Sequence, residues 1–283
     1  MKRYTLDGTI DLVQIAVTRL WDYEEKALDM HPSGYYVAYS GGKDSDVIRI
    51  LCALAGVKHE LWHNHTTVDA PETVRYVRGI HGINISYPEL SMWRMIVKRG
   101  MPPTRIARYC CAELKERGGI GRFVVTGVRK SESYQRSQRE FLEVKGRTKK
   151  DKVVFTTDNH ETKRTVYNCV PKNALILNPI IDWTDKDVWD FLHHHGCKSN
   201  PLYECGYKRV GCVGCPMATI KQRMRDLGRY PKYKANYIAA FDKMIRVEGR
   251  ATTWRSGEEV YDWWMREPSK HGDIEGQISL LEE

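Results

Sequence analysis

No stretch of the 283-residue chain approaches the ~18 consecutive apolar residues that a membrane-spanning helix needs, so nothing in it reads as a membrane span. Residues 1–30 carry charges throughout and hold no apolar stretch of the secretory kind, which gives the expectation of a cytoplasmic protein. Internal repeats and low-complexity tracts are absent too. Two familiar nucleotide signatures are missing: there is no Gly-x-x-x-x-Gly-Lys-Ser/Thr loop and no Gly-x-Gly-x-x-Gly turn. No cysteine follows Cys215. Without a secretory stretch, the eight cysteines are not expected to form a disulfide framework.

What is present is a globular composition. Apolar residues make up 41% of the chain, enough for a sizeable core, which excludes global disorder. The net charge of +9 suggests an anionic partner such as a nucleotide or nucleic acid and says nothing about fold. Two stretches concentrate that charge. Residues 129–152 hold nine Lys or Arg against four acids, and residues 221–234 hold six against one. The first reads as a hairpin or loop, a solvated face or a contact for phosphates.

Hydrophobic spacing predicts a helix over 10–29 with Asp7 as its cap, then a buried strand over 35–39. A helix over 45–55 follows, stopped by Gly56, and a second strand ends at 61–63. Residues 71–80 read as a helix with Pro71 in its first turn, and 83–87 and 123–126 as further strands. Strands alternating with helices predict an α/β fold with a parallel sheet covered on both faces. Residues 185–195, 232–248 and 256–266 read as helices. The expected organisation is therefore an α/β domain over 1–180 and a smaller helical, cysteine-bearing region over 181–283. Cys52 and Cys169 sit in apolar stretches, helical and strand-like respectively, and read as core cysteines. The run His193-His194-His195 reads as incidental, because on a helix only one or two of these rings share a face.

The sharpest motif is Ser40-Gly41-Gly42-Lys43-Asp44-Ser45, between the first buried strand and a helix. Two glycines let the backbone turn tightly and approach an anion, and a helix N-terminus offers free N–H groups and a positive dipole end. Ser40 and Ser45 add hydroxyl donors, Lys43 neutralises phosphate charge, and Asp44 caps the helix or holds Mg²⁺. The other candidate is Cys212-x-x-Cys215, two thiolates on one tight turn, which suits Zn²⁺ or an iron–sulfur cluster with Cys110, Cys111 or Cys205 available as further ligands.

Ser40–Ser45 resembles the PP-loop of ATP pyrophosphatases and of phosphoadenylyl-sulfate (PAPS) reductases. The resemblance to the PAPS reductase family continues in family order from about residue 34 to residue 217. Thr67-Val68-Asp69-Ala70-Pro71-Glu72-Thr73 resembles an Asp-Thr-Gly…Pro-Glu-Thr segment, with Ala70 in place of the usual Thr-Gly pair. Tyr109-Cys110-Cys111-Ala112-Glu113-Leu114-Lys115 resembles a Cys-Cys…Leu-Lys segment. Thr126-Gly127-Val128-Arg129, with Glu132, Ser133 and Arg136, resembles a Gly-Ile-Arg…Glu-Ser…Arg segment. Residues 179–188, with Trp183 and Thr184, resemble a Pro-Ile…Trp-Thr…Val stretch. Asn200-Pro201-Leu202-Tyr203 and Gly211-Cys212-Val213-Gly214-Cys215-Pro216 are similar to a later Asn-Pro-Leu-Tyr…Gly-Cys-x-x-Cys element.

The resemblance implies a doubly wound, mainly parallel sheet of the adenine-nucleotide α-hydrolase kind, with ATP or the sulfonucleotides PAPS or APS at the loop and Mg²⁺ as companion. It implies that Arg129 and Arg136 clamp phosphate and that Asp69 contacts ribose or metal, or caps the next helix. It implies a 4Fe-4S cluster on Cys110, Cys111, Cys212 and Cys215, with Cys205 as an alternative ligand and Zn²⁺ as an alternative metal. The family's reductases carry a catalytic Glu-Cys-Gly near the C-terminus. Here Glu204-Cys205-Gly206 precedes the Cys-x-x-Cys element and 68 residues without a thiol follow Cys215. That departure favours ATP pyrophosphatase chemistry, an adenylation served by Lys43, Asp44 and Arg129 and coupled to sulfur transfer onto DNA or tRNA from a sulfur-donor protein. The alternatives are a sulfite-releasing PAPS or APS reductase and a nucleotide- or redox-sensing regulator without turnover. The oligomeric state is left open.

Overall fold

The computed structural model describes residues 2–5, 8–115, 118–144, 153–156, 158–169, 175–249 and 252–266. In chain order the strands are β1 (Lys2–Thr5), β2 (Gly8–Asp11), β3 (Tyr35–Ala38), β4 (His59–Asn64), β5 (Ile83–Ser86), β6 (Val124–Val125), β7 (Leu142–Val144), β8 (Val153–Phe155) and β9 (Leu175–Leu177). The α-helices are α1 (Leu12–Asp22), α2 (Glu24–Met30), α3 (Lys43–Ala55), α4 (Pro71–Arg78), α5 (Met92–Arg99) and α6 (Tyr109–Leu114), then α7 (Tyr134–Ser137), α8 (His160–Cys169), α9 (Asp185–His194), α10 (Ile220–Arg229), α11 (Pro231–Ile245) and α12 (Gly257–Trp264). None of the described helices is long and apolar enough to cross a membrane.

The fold is α/β with a mainly parallel sheet, in spatial order β5-β4-β3-β6-β9-β7-β8. The first five of these strands run parallel, and β7 pairs antiparallel with both β9 and β8. The chain winds outward one way from β3 through β4 to β5, then returns to the other side of β3 with β6. The strand order therefore reverses between β3 and β6. At such a reversal the connections leaving the two carboxyl ends diverge and open a crevice, where open α/β sheets bind ligands.

Two compact units share the chain. The first comprises residues 1–65, 69–88 and 114–211, and the second 66–68, 89–113 and 212–283. Their segments alternate along the sequence: α9 packs on α3 and stays with the sheet, while 89–113 group with the C-terminal helices.

The first unit is organised by the buried strand residues Tyr35 and Val37 of β3, Val125 of β6 and Leu175 and Leu177 of β9. Helix α3 lays Val47, Ile48, Leu51 and Cys52 into the same core, and α9 adds Val188, Phe191 and Leu192. Phe123, fully buried, meets Tyr35 edge-on with ring centroids 5.3 Å apart and Tyr23 at 6.1 Å. In the second unit Tyr237 is the hub: its ring meets Trp93 of α5 at 4.8 Å and Trp264 of α12 at 4.7 Å, and Phe241 meets Trp264 at 5.5 Å.

The elements depart from the sequence expectation in four places. The helix expected over 10–29 is two, broken at Tyr23. Residues 8–11 extend as β2, and Asp11 caps α1 by accepting from the Val13 and Gln14 amides at 3.0 and 3.3 Å; Asp7 lies outside the described residues. Cys169 ends helix α8 where a strand was expected; its side chain lies outside the described residues. The strand expected over 123–126 is only Val124–Val125. In the basic segment, β7 and β8 pair as a hairpin, while residues 145–152 lie outside the described residues.

Phe123→Ala removes a fully enclosed ring at the centre of the first unit's aromatic cluster. It should cost about 3–5 kcal/mol of unfolding free energy in a denaturant titration followed by far-ultraviolet circular dichroism. A loss below about 1 kcal/mol would mean that the ring is not packed as described.

Candidate functional site

Two clusters bear chemistry, one in each unit. The first gathers at the strand reversal. Gly41 has φ +74°, the left-handed region, and a Cβ there would stand 2.8 Å from Val77 Cγ2, so the loop needs glycine for both conformation and space. The Asn200 side-chain amide donates to the Gly41 carbonyl at 3.0 Å and to Thr73 Oγ1 at 3.1 Å, fixing the loop from the far end of the unit's sequence. The Ser45 hydroxyl accepts from the Gly42 amide at 3.1 Å and donates to the Gly42 carbonyl at 2.7 Å. Ser40 Oγ donates to Ser45 Oγ at 3.3 Å. The Lys43 amide, first in α3, donates to the Tyr203 hydroxyl at 2.9 Å.

Lys43 and Arg129 are the cations of this cluster, only 3% and 2% exposed. Arg129 arrives on the connection after β6. Its Nε donates to Asp44 Oδ1 at 2.7 Å, its Nη2 to Asp185 Oδ1 at 3.0 Å and its Nη1 to Ser131 Oγ at 3.0 Å. Lys43 Nζ stands 3.0 Å from the same Asp185 oxygen and 3.4 Å from Asp44 Oδ2. Two cations and two carboxylates thus form one closed ring of charge. Asp185 is its most open member, with a side chain 65% exposed. Burial pushes the Asp185 carboxyl up, but Lys43 and then Arg129, through hydrogen bonds and charge, outweigh it and hold the group below its ordinary value.

Beneath the loop, Asp46 is fully buried and accepts from the hydroxyls of Tyr39, Tyr76 and Ser199, the last two at 2.9 and 3.1 Å. Burial raises its carboxyl above the ordinary value, and these hydroxyls, with the Arg49 charge, only partly offset that. Arg136 does not join the ring of charge directly: it pairs with Glu132, whose Oε2 also accepts the Arg129 amide at 3.2 Å. Asp69 is buried with its Oδ2 3.8 Å from His63 Nε2, next to helix α4.

The second cluster is the thiols. Cys110 and Cys111 open helix α6, and Cys212 and Cys215 close one turn in which the Cys215 amide donates to the Cys212 carbonyl at 3.2 Å. The Val213 amide donates to the Val68 carbonyl at 2.8 Å and the Cys212 thiol to Thr66 Oγ1 at 3.4 Å, so residues 66–68 anchor the turn. The Cys110 thiol is pushed far up, first by its hydrogen bond with Cys111, then by burial, then by the charges of Cys111, Cys212 and Cys215. Four free thiols in one compact unit are a donor set whose chemistry suits a thiophilic metal centre. Among the described residues no three His, Cys, Asp or Glu side chains form a ready ion cage. Cys205 is exposed and belongs to the first unit. The three histidines pack on rings: His193 stacks on Trp189 at 5.9 Å, and His195 meets Phe191 at 4.3 Å and His194 at 5.1 Å.

Sequence reasoning singles out Lys43, Asp44 and Arg129, and the structure brings them together. It misses Asp185, although Thr184 and Asp187 signal a helix start by exchanging cap hydrogen bonds, which places Asp185 at a helix N-terminus. Asn200 and Tyr203 stand in a motif whose letters do not reveal that they support the loop. In the basic stretch over 221–234, Lys221, Arg225 and Arg229 lie on one exposed face of α10, whereas Arg223 is buried.

Comparison with known proteins adds family information. The phosphoadenosine phosphosulfate reductase domain matches residues 34–218. An uncharacterized protein of Methanocaldococcus jannaschii is 26% identical over 241 residues, 80% of this chain and 47% of that protein. The adenosine 5'-phosphosulfate reductase of Allochromatium vinosum is 43% identical over 50 residues, 17% of this chain and 20% of that enzyme. The crystal structure of the PAPS reductase of Candida auris in a phosphate complex is 19% identical, with a TM-score of 0.46, covering 70% of this chain and 87% of that one. The chain spans about half the length of the curated relatives it matches over most of its own length.

The ring of charge generates a prediction. Asp185 competes with any anion for Lys43 and Arg129, so Asp185→Asn should tighten inorganic phosphate several-fold in isothermal titration calorimetry without divalent metal. Because Asp185 titrates below the ordinary carboxylate range, it stays ionised from pH 5 to 8, and the ratio of variant to parent affinity should be flat over that window. Weaker binding by the variant, or a ratio that changes tenfold across it, would contradict the competition.

Proposed function

The chain belongs to the phosphoadenosine phosphosulfate reductase domain family, and from that premise we propose that it is an ATP-dependent adenylating enzyme that delivers sulfur to a nucleic-acid substrate. One observation carries the reading: two carboxylates, Asp44 and Asp185, share two buried cations, Lys43 of the loop and Arg129 of the connection after β6. A site for a bare sulfonucleotide needs only the cations. Carboxylates beside them suit a polyphosphate that arrives with Mg²⁺, a metal that binds through one or two carboxylates plus phosphate oxygens. Asp44 and Asp185 are the residues that would hold it, and a bound Mg²⁺ supplies charge neutralisation on the phosphates.

In this reading a substrate oxygen attacks the α-phosphorus of ATP. A new P–O bond forms, the bond to the β-phosphate oxygen breaks, and pyrophosphate leaves. Lys43 and Arg129 neutralise the charge that gathers on the departing oxygens, and the N–H groups at the start of α3, presented by the glycine turn, orient the phosphates. Hydrosulfide, already released from its donor protein, then forms a C–S bond at the adenylated carbon, the C–O bond to AMP breaks, and no oxidant or reductant is consumed. Cys110, Cys111, Cys212 and Cys215 would hold a 4Fe-4S cluster, which would supply thiophilic iron for sulfur handling. Lys221, Arg225 and Arg229, one helical turn apart on α10, supply a stripe for a phosphate backbone.

The test is pyrophosphate release from Mg-ATP by anaerobically purified protein, with tRNA or DNA added. Lys43→Ala should lower the rate roughly 10²–10³-fold, as removal of one charge-stabilising donor does. Sulfite release from APS or PAPS, with no pyrophosphate from ATP, would transfer the reading to sulfonucleotide reduction. ATP binding without either product would transfer it to a sensor. In a second measurement, replacing Lys221, Arg225 and Arg229 by Gln should weaken nucleic-acid binding and flatten its salt dependence by roughly one logarithmic slope unit for each phosphate no longer neutralised. An unchanged salt slope would remove α10 from the interface.

A further inference from the structure

Among the described residues, Arg223 is the least satisfied cation of the second unit. It projects from the first turns of α10, eight residues after Cys215, and is 5% exposed. Its Nη1 donates to the Trp264 carbonyl at 3.0 Å, and its guanidinium carbon lies 4.0 Å from the centre of the Trp264 ring. Its Nε and Nη2 are buried with no hydrogen-bond acceptor among the described residues. The neighbouring Arg105 differs: its Nε and Nη2 donate to the Pro216 and Ala218 carbonyls at 3.2 and 3.4 Å, so it secures the backbone after Cys215. A buried guanidinium with two idle donors costs stability unless an anion offsets it.

The aromatic ring under Arg223 is also the floor of the cysteine turn. Gly214, between Cys212 and Cys215, has φ +70°, and a Cβ there would meet Tyr237 Cε2 at 3.2 Å and Trp264 Cη2 at 3.3 Å. The Tyr237 hydroxyl donates to the Val213 carbonyl at 3.0 Å. Cation, aromatic floor and thiol turn are therefore one packed stack within one unit. Burial pushes the Arg223 guanidinium below its ordinary value, and the charges of Tyr237 and then Cys215 only partly offset it.

We propose that Arg223 is the counter-charge of the thiolate-bound centre, a positioning residue whose idle N–H donors serve the sulfurs of an anionic group held by Cys110, Cys111, Cys212 and Cys215. The assignment rests on the iron–sulfur reading above. Four thiolates give such a centre net negative charge, and reduction adds one more electron. A fixed cation and N–H···S hydrogen bonds stabilise the reduced form more than the oxidised one, so they raise the reduction potential. Arg223 would therefore set the potential without ligating iron.

The experiment uses the full chain, loaded anaerobically with iron and sulfide. Iron and sulfide content, the reduced-state electron paramagnetic resonance signal and the midpoint potential are measured for the parent, Arg223→Lys and Arg223→Met. The expected result is equal loading, a midpoint shifted to more negative potential in Arg223→Met, and a smaller shift in Arg223→Lys, which keeps the charge but loses the planar fork. Equal loading with an unchanged midpoint in Arg223→Met overturns the role of Arg223 and leaves the cluster reading intact. A parent that takes up no cluster overturns both. Should Arg223→Met fail to fold or load, the parent itself decides: the Arg223 Nε–H resonance, assigned through Arg223→Lys or by selective arginine labelling, should shift and broaden on cluster loading. A resonance unmoved by a loaded cluster overturns the proposal.

Discussion

Lys43 and Arg129 are buried almost completely at the carboxyl edge of a parallel sheet, and a buried cation is tolerated only beside anions. That constraint orders the rest of the first unit. Asp44 is supplied by the helix that carries Lys43, and Asp185 by a helix that starts much later in the chain. Both carboxylates must reach the same small volume, so α3 and α9 pack side by side, and Val188, Phe191 and Leu192 join the core that holds Val47, Ile48 and Leu51. The sheet reversal between β3 and β6 brings the connection bearing Arg129 next to the loop bearing Lys43. Strand order, helix packing and ion pairing are three views of one requirement. The most exposed member of the ring is an anion, Asp185, which in the proposed reading is the one a phosphate would displace from the two cations.

The second unit repeats this logic with softer chemistry. The Cys110 thiol is pushed up by its hydrogen bond with Cys111, by burial and by the charges of Cys111, Cys212 and Cys215, and the Arg223 guanidinium lies on the Trp264 ring with two donors to spare. Burial penalises a lone thiolate group and a lone guanidinium, and each penalty falls when the other charge is present. Trp264 mediates the arrangement, because its ring meets both the Cys212–Cys215 turn at Gly214 and the Arg223 guanidinium, while Tyr237 supports the turn beside it. Tertiary packing thus links a motif of four residues to helices that follow it in the chain.

Local signals wrote much of the architecture into the sequence. Short apolar runs marked β3, β4 and β5, a left-handed glycine stop closed α3 at Gly56, and Pro71 opened α4. The loop over 40–45 was legible because a tight glycine turn between strand and helix is a local backbone requirement. Where local signals conflicted, the expectation slipped. Tyr23 divides one amphipathic run into α1 and α2, and Cys169 ends a helix although its neighbours looked strand-like. Asp185 and Arg223 escaped for a different reason. Each looks like an ordinary member of a charged helix start or a basic stretch, and its burial and partners come from elements distant in sequence.

By itself the sequence determined the alternation of strands and helices, the glycine turn with Lys43 and Asp44 at a helix start, and the Cys-x-x-Cys spacing. These depend on backbone conformation and on periodicities of a few residues. Only the tertiary structure decided that Asp185 closes the ring around Lys43 and Arg129, that residues 89–113 join the C-terminal helices around the thiols, and that Arg223 faces inward while Lys221 and Arg225 face out. Those are matters of which surfaces are removed from water together. Charge pairing and burial act through space, over distances that the order of residues along the chain does not encode.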